Sequence, residues 1–159
     1  MIRIRFSTGP GLVSKLISQH TYGFWASHAD AVMADGRYIG AEGDGVQLRA
    51  ADYDKGYTTK ELVIELKVDA ATEKRFNAFL ESQIGKPYDY TAVAAFAAVR
   101  DWNGTDSWFC SELIAAALLE CGFLRPLAAT TNKITPRDLL LILSSRVGAG
   151  TITVKEKEK

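Results

Sequence analysis

The chain has 159 residues, and its 19 basic side chains balance 19 acidic ones, so that the formal net charge is zero. A neutral chain has no long-range field that would steer it to nucleic acid or to an anionic membrane, and we expect no polyanionic partner. Hydrophobic residues make up 47% and charged residues 24%, which is ordinary for a globular protein. We expect one domain over residues 1–159, with a flexible charged tail at about 155–159.

Targeting and cofactor motifs are also not found. Residues 1–11 alternate charged and apolar side chains instead of forming a signal peptide, and no later segment approaches the ~18 unbroken apolar residues of a membrane span. We therefore expect a cytoplasmic chain without an integral membrane segment, with phage association as the alternative. The two cysteines and two histidines lack the spacing of zinc motifs, and glycine-rich nucleotide loops are missing, so we expect neither a metal nor a cofactor.

The first part of the chain predicts mainly strands. Residues 2–7 alternate with period two and predict a strand that ends at a Gly-Pro-Gly turn. Residues 12–18 have the spacing of a short amphipathic helix, which leads into an aromatic loop. Residues 28–42 predict a β-hairpin, because the pair Asp35-Gly36 suits a two-residue type I′ turn between two apolar strands.

The rest of the chain alternates between the two periodicities. The predicted elements are a polar loop at 50–60, a strand at 61–69, helices at 71–85 and 91–102, a turn at 103–107, helices at 109–122 and 136–143, and a strand at 151–154. This mixture predicts an α+β fold in which an antiparallel sheet packs against helices.

Cys110 stands where the predicted helix 109–122 begins. A sulfur at that point faces the positive end of the helix dipole and unpaired N–H groups, which favours the thiolate. The backbone N–H of Cys110 would also serve as an oxyanion donor. The alternative is a core cysteine, because cysteine is among the most buried residue types. Cys121 fits that alternative, and at ~16 Å along one helix the two cysteines are too far apart for a disulfide.

A catalytic cysteine needs a histidine, and the chain has two. His20 lies in a polar stretch before a Tyr-Gly pair that indicates mobility. His28 begins a predicted strand, which would hold its ring rigidly near a helix N-terminus. His28 is therefore the expected general base, and a strand-end histidine with satisfied hydrogen bonds is the alternative.

A third residue would accept the other ring N–H of His28 and fix its tautomer. Asp30 is two residues further along the same strand and so on the same face as His28. If residues 35–36 form the turn, Ala29 pairs with Glu42, and Glu42 then points to the opposite face. A one-residue bulge, favoured by the glycines after Glu42, would bring it to the histidine face. We expect Asp30 first and Glu42 as the alternative.

Several side chains flank the two catalytic segments. Tyr88 lies in a turn after a proline and is expected to contact substrate, although Pro-Tyr-Asp is also ordinary loop-to-helix chemistry. Trp25 and Trp108 are expected to form an apolar substrate wall, with core packing as the alternative. Glu112 falls in the first turn of the cysteine helix, where a carboxylate serves as a cap.

Three stretches resemble the permuted branch of the NlpC-type cysteine peptidases. Residues 27–41, SHADAVMADGRYIGA, are similar to the family's histidine strand and returning strand. Residues 85–96, GKPYDYTAVAAF, are similar to the Gly-x-Pro-Tyr-Asp element, and 108–122, WFCSELIAAALLECG, to the cysteine helix. The resemblance extends from about residue 9 to residue 140. The order of histidine before cysteine is its most specific feature.

The resemblance implies a permuted papain-like fold in which Cys110 is the nucleophile and His28 the base. It also implies hydrolysis of a peptide, peptidoglycan or other amide bond through a thioester. The chain departs from the family at Gly40, where relatives often have their third polar residue. Lipid acyl hydrolases or acyltransferases of the lecithin retinol acyltransferase type share the same order and are the enzymatic alternative. A non-catalytic binding or phage-associated module is the other, and the sequence leaves the substrate and oligomeric state open.

Overall fold

The computed structural model describes residues 1–90, 106–127, 129–146 and 152–156. The strands are β1 (Ile2–Thr8), β2 (His28–Val32), β3 (Tyr38–Glu42), β4 (Gly45–Arg49), β5 (Lys60–Leu66) and β6 (Ile152–Glu156). The helices are α1 (Leu12–His20), α2 (Ala70–Ser82), α3 (Cys110–Glu120) and α4 (Pro136–Ser144), with a 3₁₀ turn at Thr131–Lys133. The predicted helix at 91–102 and most of the predicted turn at 103–107 lie outside the described residues.

The strands form one antiparallel sheet in the order β4-β3-β2-β1-β5-β6. The strand that carries His28 is thus central and pairs with β1 on one side and β3 on the other. Strands and helices occur together in one architecture, which confirms the predicted α+β class. In the part of the chain that the structure describes, we find no helix long and apolar enough to cross a membrane.

The two faces of the sheet differ in chemistry. Alternate residues of β1 and β2 are buried and apolar, and α2, α3 and α4 share the core on that face. The main core contributors are Ile4, Phe6, Ala29, Ala31, Ile39, Ile64, Phe76, Leu80, Leu113, Ile114, Leu118, Leu139 and Leu143. The opposite face carries Arg5 and Asp30, which are paired across β1 and β2. Side chains from the segment 50–58 cover this polar face through hydrogen bonds to both residues.

The hairpin register differs by one residue from the predicted register. Ala31 pairs with Ile39 and Val32 with Tyr38, so the connection is longer than the expected two-residue turn. The N–H of Gly36 donates to the carbonyl of Met33, and Gly36 has a φ of +87°, the left-handed conformation that ends a three-residue loop. Because side chains alternate along a strand, this shift moves Glu42 to the face of His28. The three-residue loop thus places Glu42 on the face of His28, as a one-residue bulge would have done in the alternative considered from the sequence.

Two further boundaries differ from the prediction. The sequence does not predict β4, because its glycine-flanked residues carry weak strand signals, yet the strand pairs along its whole length with β3. β6 continues to Glu156, so part of the predicted tail at 155–159 pairs with β5. Backbone pairing at a sheet edge tolerates charged residues, which explains why the composition of this segment was misleading.

Candidate active site

His28 lies at the start of β2, with two carboxylates beside one ring nitrogen. Its Nε2 is 2.8 Å from Oδ1 of Asp30 and 3.4 Å from Oε1 of Glu42. Asp30 is wholly buried, whereas the Glu42 side chain is 36% exposed. The structure thus brings both predicted candidates for the third residue to His28, and Asp30 makes the hydrogen bond.

Cys110 is the first residue of α3, and its side chain is wholly buried. Its thiol lies close enough to the ring of His28 to raise the pKa of that ring. Since Nε2 of His28 is engaged by Asp30, Nδ1 is the nitrogen left to face the sulfur. The start of a helix leaves its first N–H groups without intrahelical partners, and these surround the sulfur with partial positive charge.

The charges in this group reinforce one another. Burial lowers the pKa of His28, but the Asp30 carboxylate and the Cys110 thiol outweigh it, so that the pKa is raised well above its usual value. Burial raises the pKa of Asp30, but the ring of His28 and then Arg5 and Tyr53 reverse the effect, and the pKa is lowered. The favoured state has an ionised Asp30 and a protonated imidazole beside the sulfur.

Side chains from other segments hold the Asp30 carboxylate in position. The Tyr53 hydroxyl lies 3.1 Å from its Oδ2, and Nη1 of Arg5 lies 3.6 Å from the same oxygen. Arg5 is only 2% exposed and also pairs with Asp54 and Glu61. A Cβ atom at Gly40 would lie 1.9 Å from Oδ1 of Asp30. The carboxylate therefore fills the space that a side chain at position 40 would need.

A cleft of about 570 Å³ opens beside this group. His28, Glu42, Tyr53, Ile17 and Tyr88 are among its lining residues, whereas Trp25 and Trp108 are not. Trp108 instead packs edge-on against Phe79 and donates its Nε1 proton to Gln83 at 3.1 Å, and Trp25 packs against the core and lies below the Lys60 ammonium.

Cys110 itself does not line the cleft. Ile17, the buried residue of α1, forms a small apolar cluster with Phe109 and Cys110, and Tyr88 packs against this cluster. Ile17 and Tyr88 line the cleft, but Cys110 does not. His28 is therefore reachable from the cleft, whereas Ile17 and Tyr88 cover Cys110.

Shortening this cover is expected to expose the thiol. Ile17→Ala should raise the rate of iodoacetamide alkylation at Cys110 about fivefold, equivalent to the loss of ~1 kcal/mol of covering contacts. Intact mass spectrometry measures the rate. Leu16→Ala is the matched control, because Leu16 is on the same helix but exposed. Equal rates in the two variants would mean that Ile17 does not limit access.

Glu112, in the first turn of α3, caps the helix rather than facing the cleft. Its Oε2 accepts a hydrogen bond of 3.3 Å from the N–H of Phe109. Burial raises its pKa to about 7, opposed by that N–H and assisted by the Asp89 carboxylate. Between the ordinary carboxyl pKa and about pH 7, Glu112 is therefore protonated in the folded protein, whereas it has lost its proton in the unfolded chain. Stability falls as pH rises through this window and levels off above it.

Glu112→Gln should remove this pH dependence, since glutamine keeps the acceptor without the charge. We expect the substitution to be more favourable at pH 8 than at pH 5 by about 2 kcal/mol in the free energy of unfolding. Urea denaturation at the two pH values measures this difference. Glu120→Gln, at the exposed end of the same helix, should show no such difference. A Glu112→Gln variant with the wild-type slope would contradict the assignment.

The donor atoms of His28, Asp30 and Glu42 lie within 4.8 Å of one another, a spacing that suits a metal ion. Two arginines contact the same carboxylates. Arg5 lies against Asp30, and Nε of Arg49 lies 3.9 Å from Oε2 of Glu42, so each carboxylate already has a cationic neighbour. Each arginine is shared with further carboxylates, Arg5 with Asp54 and Glu61 and Arg49 with Asp44, so the group keeps an excess of negative charge. A metal ion at this position would compete with Arg5 and Arg49 for the two carboxylates.

Three residues of the site escape prediction from the sequence, namely Arg5, Gly40 and Tyr53. An arginine that alternates with apolar residues in β1 resembles any solvent-facing strand residue, and Tyr53 falls in a segment that predicts only a polar loop. Gly40 stands out only as a departure from the family. The available signal is the combination of that glycine with an aspartate two residues after the histidine.

No family model matches this chain, and no curated protein matches it. Among solved structures, the fold is similar to the crystal structure of the metalloprotein YiiX from Escherichia coli O157:H7, described as DUF1105. The TM-score is 0.63 with 18% sequence identity, and the match covers 98% of this chain and 96% of that chain. This likeness establishes a shared fold over almost the whole chain.

Proposed function

We propose that this protein is a cysteine hydrolase with a permuted papain-like arrangement, which cleaves a peptide or peptidoglycan-like amide bond. The observation that carries the proposal is the grouping of Asp30, His28 and Cys110, in which Asp30 contacts the His28 ring and Cys110, at the first turn of α3, raises the pKa of that ring. The order of elements supports it, since the histidine strand precedes the cysteine helix, as in the family that the sequence resembles.

The proposed reaction has two halves, formation of a thioester and its hydrolysis. The Cys110 thiolate attacks the carbonyl carbon, and the backbone N–H at the start of α3 stabilises the resulting oxyanion. The C–N bond breaks as Nδ1 of His28 gives its proton to the leaving amine, and a thioester remains. Nδ1 then takes a proton from water, the hydroxide attacks the thioester, and the thiolate returns with release of the acid. Asp30 keeps the ring oriented in both halves.

YiiX is a metalloprotein, and its metal is a property of that protein. The metal is not carried over to this chain, because a likeness at 18% sequence identity establishes the fold alone, and Arg5 and Arg49 already contact the carboxylates beside His28. A chelator control tests this point: treatment with EDTA should leave the reactivity of Cys110 unchanged.

A lipid acyl hydrolase or acyltransferase is the second candidate. The observation in its favour is the apolar surface of α1, where Leu12, Val13 and Leu16 are exposed and Val13 lines the cleft. An apolar rim beside a thioester site suits an acyl chain as substrate. The catalytic residues would be the same for both candidates.

Acyl transfer from p-nitrophenyl acetate tests the proposal. Intact mass spectrometry of the quenched reaction should show one acetyl group, absent in Cys110→Ala and retained in Cys121→Ala. Cys121 is the matched control because it is equally buried. Absence of an acetyl adduct at Cys110 would contradict the hydrolase and favour a non-catalytic binding module. Faster release from longer acyl esters than from aminoacyl anilides would favour the lipid candidate over the amidase.

A further inference from the structure

We propose that Tyr53 is a positioning residue, whose hydroxyl holds Glu42 away from His28 so that Asp30 alone orients the imidazole. The inference rests on the proposed function, since it assigns a role in the same dyad. It concerns the competition of Asp30 and Glu42 for the Nε2 proton of His28, since both carboxylates lie near that nitrogen.

The hydroxyl of Tyr53 lies between the two carboxylates. It is 2.7 Å from Oε1 of Glu42 and 3.1 Å from Oδ2 of Asp30. A hydroxyl has one proton, so it donates to one carboxylate at a time, and the shorter distance favours Glu42. The same Oε1 atom of Glu42 is the one that lies 3.4 Å from Nε2 of His28. A proton from Tyr53 on that atom reduces its capacity to accept from the ring.

The position of Tyr53 does not depend on the carboxylates alone. Its ring packs edge-on against Tyr38, with the centroids 5.8 Å apart, and the Arg49 guanidinium lies 5.6 Å from the ring centroid. Its backbone N–H donates to the carbonyl of Ala50 at 3.2 Å. Contacts with β3 and β4 therefore hold the ring in place and position the hydroxyl beside the carboxylates. A phenylalanine at position 53 would keep these ring contacts.

The charges around the hydroxyl keep it protonated. Burial, followed by the carboxylates of Asp30, Glu42 and Asp54, raises the pKa of Tyr53 far above its usual value. Tyr53 is thus a permanent proton donor across the working pH range. The titratable and charged side chains that face this group come from β1, β2, β3, β4, β5 and the segment 50–58, and they are Arg5, His28, Asp30, Glu42, Arg49, Glu61, Tyr38 and Asp54.

Removal of the hydroxyl has a defined consequence. In Tyr53→Phe, Oε1 of Glu42 loses its donor, and the Nε2 proton of His28 becomes the nearest replacement. The ring then turns from Asp30 toward Glu42, and Nδ1 leaves its alignment with the sulfur. In a Glu42→Gln background the competing carboxylate is absent. Loss of the Tyr53 hydroxyl should then change the orientation of the His28 ring very little. The two substitutions should therefore be strongly non-additive.

The experiment is a double-mutant cycle read by iodoacetamide alkylation of Cys110 across pH 5.5–8.5. We expect Tyr53→Phe to lower the rate at pH 6.5 about fivefold and to move the pH profile, and the same change within Glu42→Gln to alter the rate less than about twofold. Tyr38→Phe, which removes a hydroxyl from the ring that packs on Tyr53, is the matched control and should keep the wild-type profile. Circular dichroism confirms folding of each variant.

Two outcomes overturn the inference: a wild-type profile in Tyr53→Phe, or an equal loss in both backgrounds, which would indicate a purely structural role. The proposed function fails separately. If wild-type alkylation does not depend on His28, the dyad is absent, whatever the result for Tyr53. If it depends on His28 but not on Tyr53, only the positioning role is wrong.

Discussion

Turnover of p-nitrophenyl acetate is expected to fall about 100- to 10,000-fold in His28→Ala, which is the range that general acid–base catalysis supplies. In the proposed mechanism, the imidazole both stabilises the Cys110 thiolate and activates the water that cleaves the thioester, so its removal should slow both steps. Steady-state release of p-nitrophenol at pH 7 measures the effect.

His20→Ala is the matched control for that loss. His20 ends α1, while His28 begins β2 beside the sulfur, so only the second histidine should matter. Circular dichroism shows whether both variants remain folded. Equal activity of His28→Ala and wild type would exclude His28 as the base.

Gly40→Ala is expected to disrupt the site from a neighbouring strand. The new methyl group would take the place of the Asp30 carboxylate, whose Oδ1 lies 1.9 Å from the position of that Cβ. Asp30 is wholly buried and bound to His28, Tyr53 and Arg5, so it has little freedom to retreat. We expect a loss of about 1–3 kcal/mol in the free energy of unfolding, which is typical of overpacking. Alkylation of Cys110 should slow in parallel, because His28 loses its partner.

Gly43→Ala provides the comparison for this effect. A Cβ at position 43 would approach the Tyr90 hydroxyl at 2.7 Å, but Tyr90 is an exposed side chain that is free to swing away. Chemical denaturation and alkylation of both variants separate a specific requirement at Gly40 from a general cost of alanine in this region. Similar small effects in the two variants would show that Asp30 adapts without penalty.

Much of the candidate site follows from local sequence patterns. The period-two pattern identifies the strand of His28 and places Asp30 on its face, and both predictions concern residues two positions apart in one strand. The helix start at Cys110 follows from the turn and the apolar run around it. These features depend on neighbours in sequence, which is why a single chain reveals them.

The hairpin shows where such reasoning fails. Asp35-Gly36 fits both a two-residue turn and the end of a three-residue loop, and the choice between them decides the face of Glu42. The structure selects the longer loop, with Gly36 in the left-handed conformation. The sequence contains no local preference strong enough to separate the two, because pairing with β1 and β4 also determines the register.

Contacts between distant segments are beyond prediction for a similar reason. Arg5 and Tyr53 meet Asp30 only because the sheet and the segment 50–58 bring three separate stretches together. The cover of Ile17 over Cys110 likewise joins α1 to α3. Such contacts require the tertiary structure, and they determine how Asp30 is held and how Cys110 is covered.

The most direct test of the dyad is the rate of iodoacetamide alkylation at Cys110 at pH 6.5, in wild type, His28→Ala and Cys121→Ala. An isolated thiol is only about 1% thiolate at that pH, and the thiolate is the reactive form. We predict that wild type and Cys121→Ala react about ten- to a hundredfold faster than His28→Ala. Equal rates in wild type and His28→Ala would contradict the ion pair and with it the cysteine hydrolase.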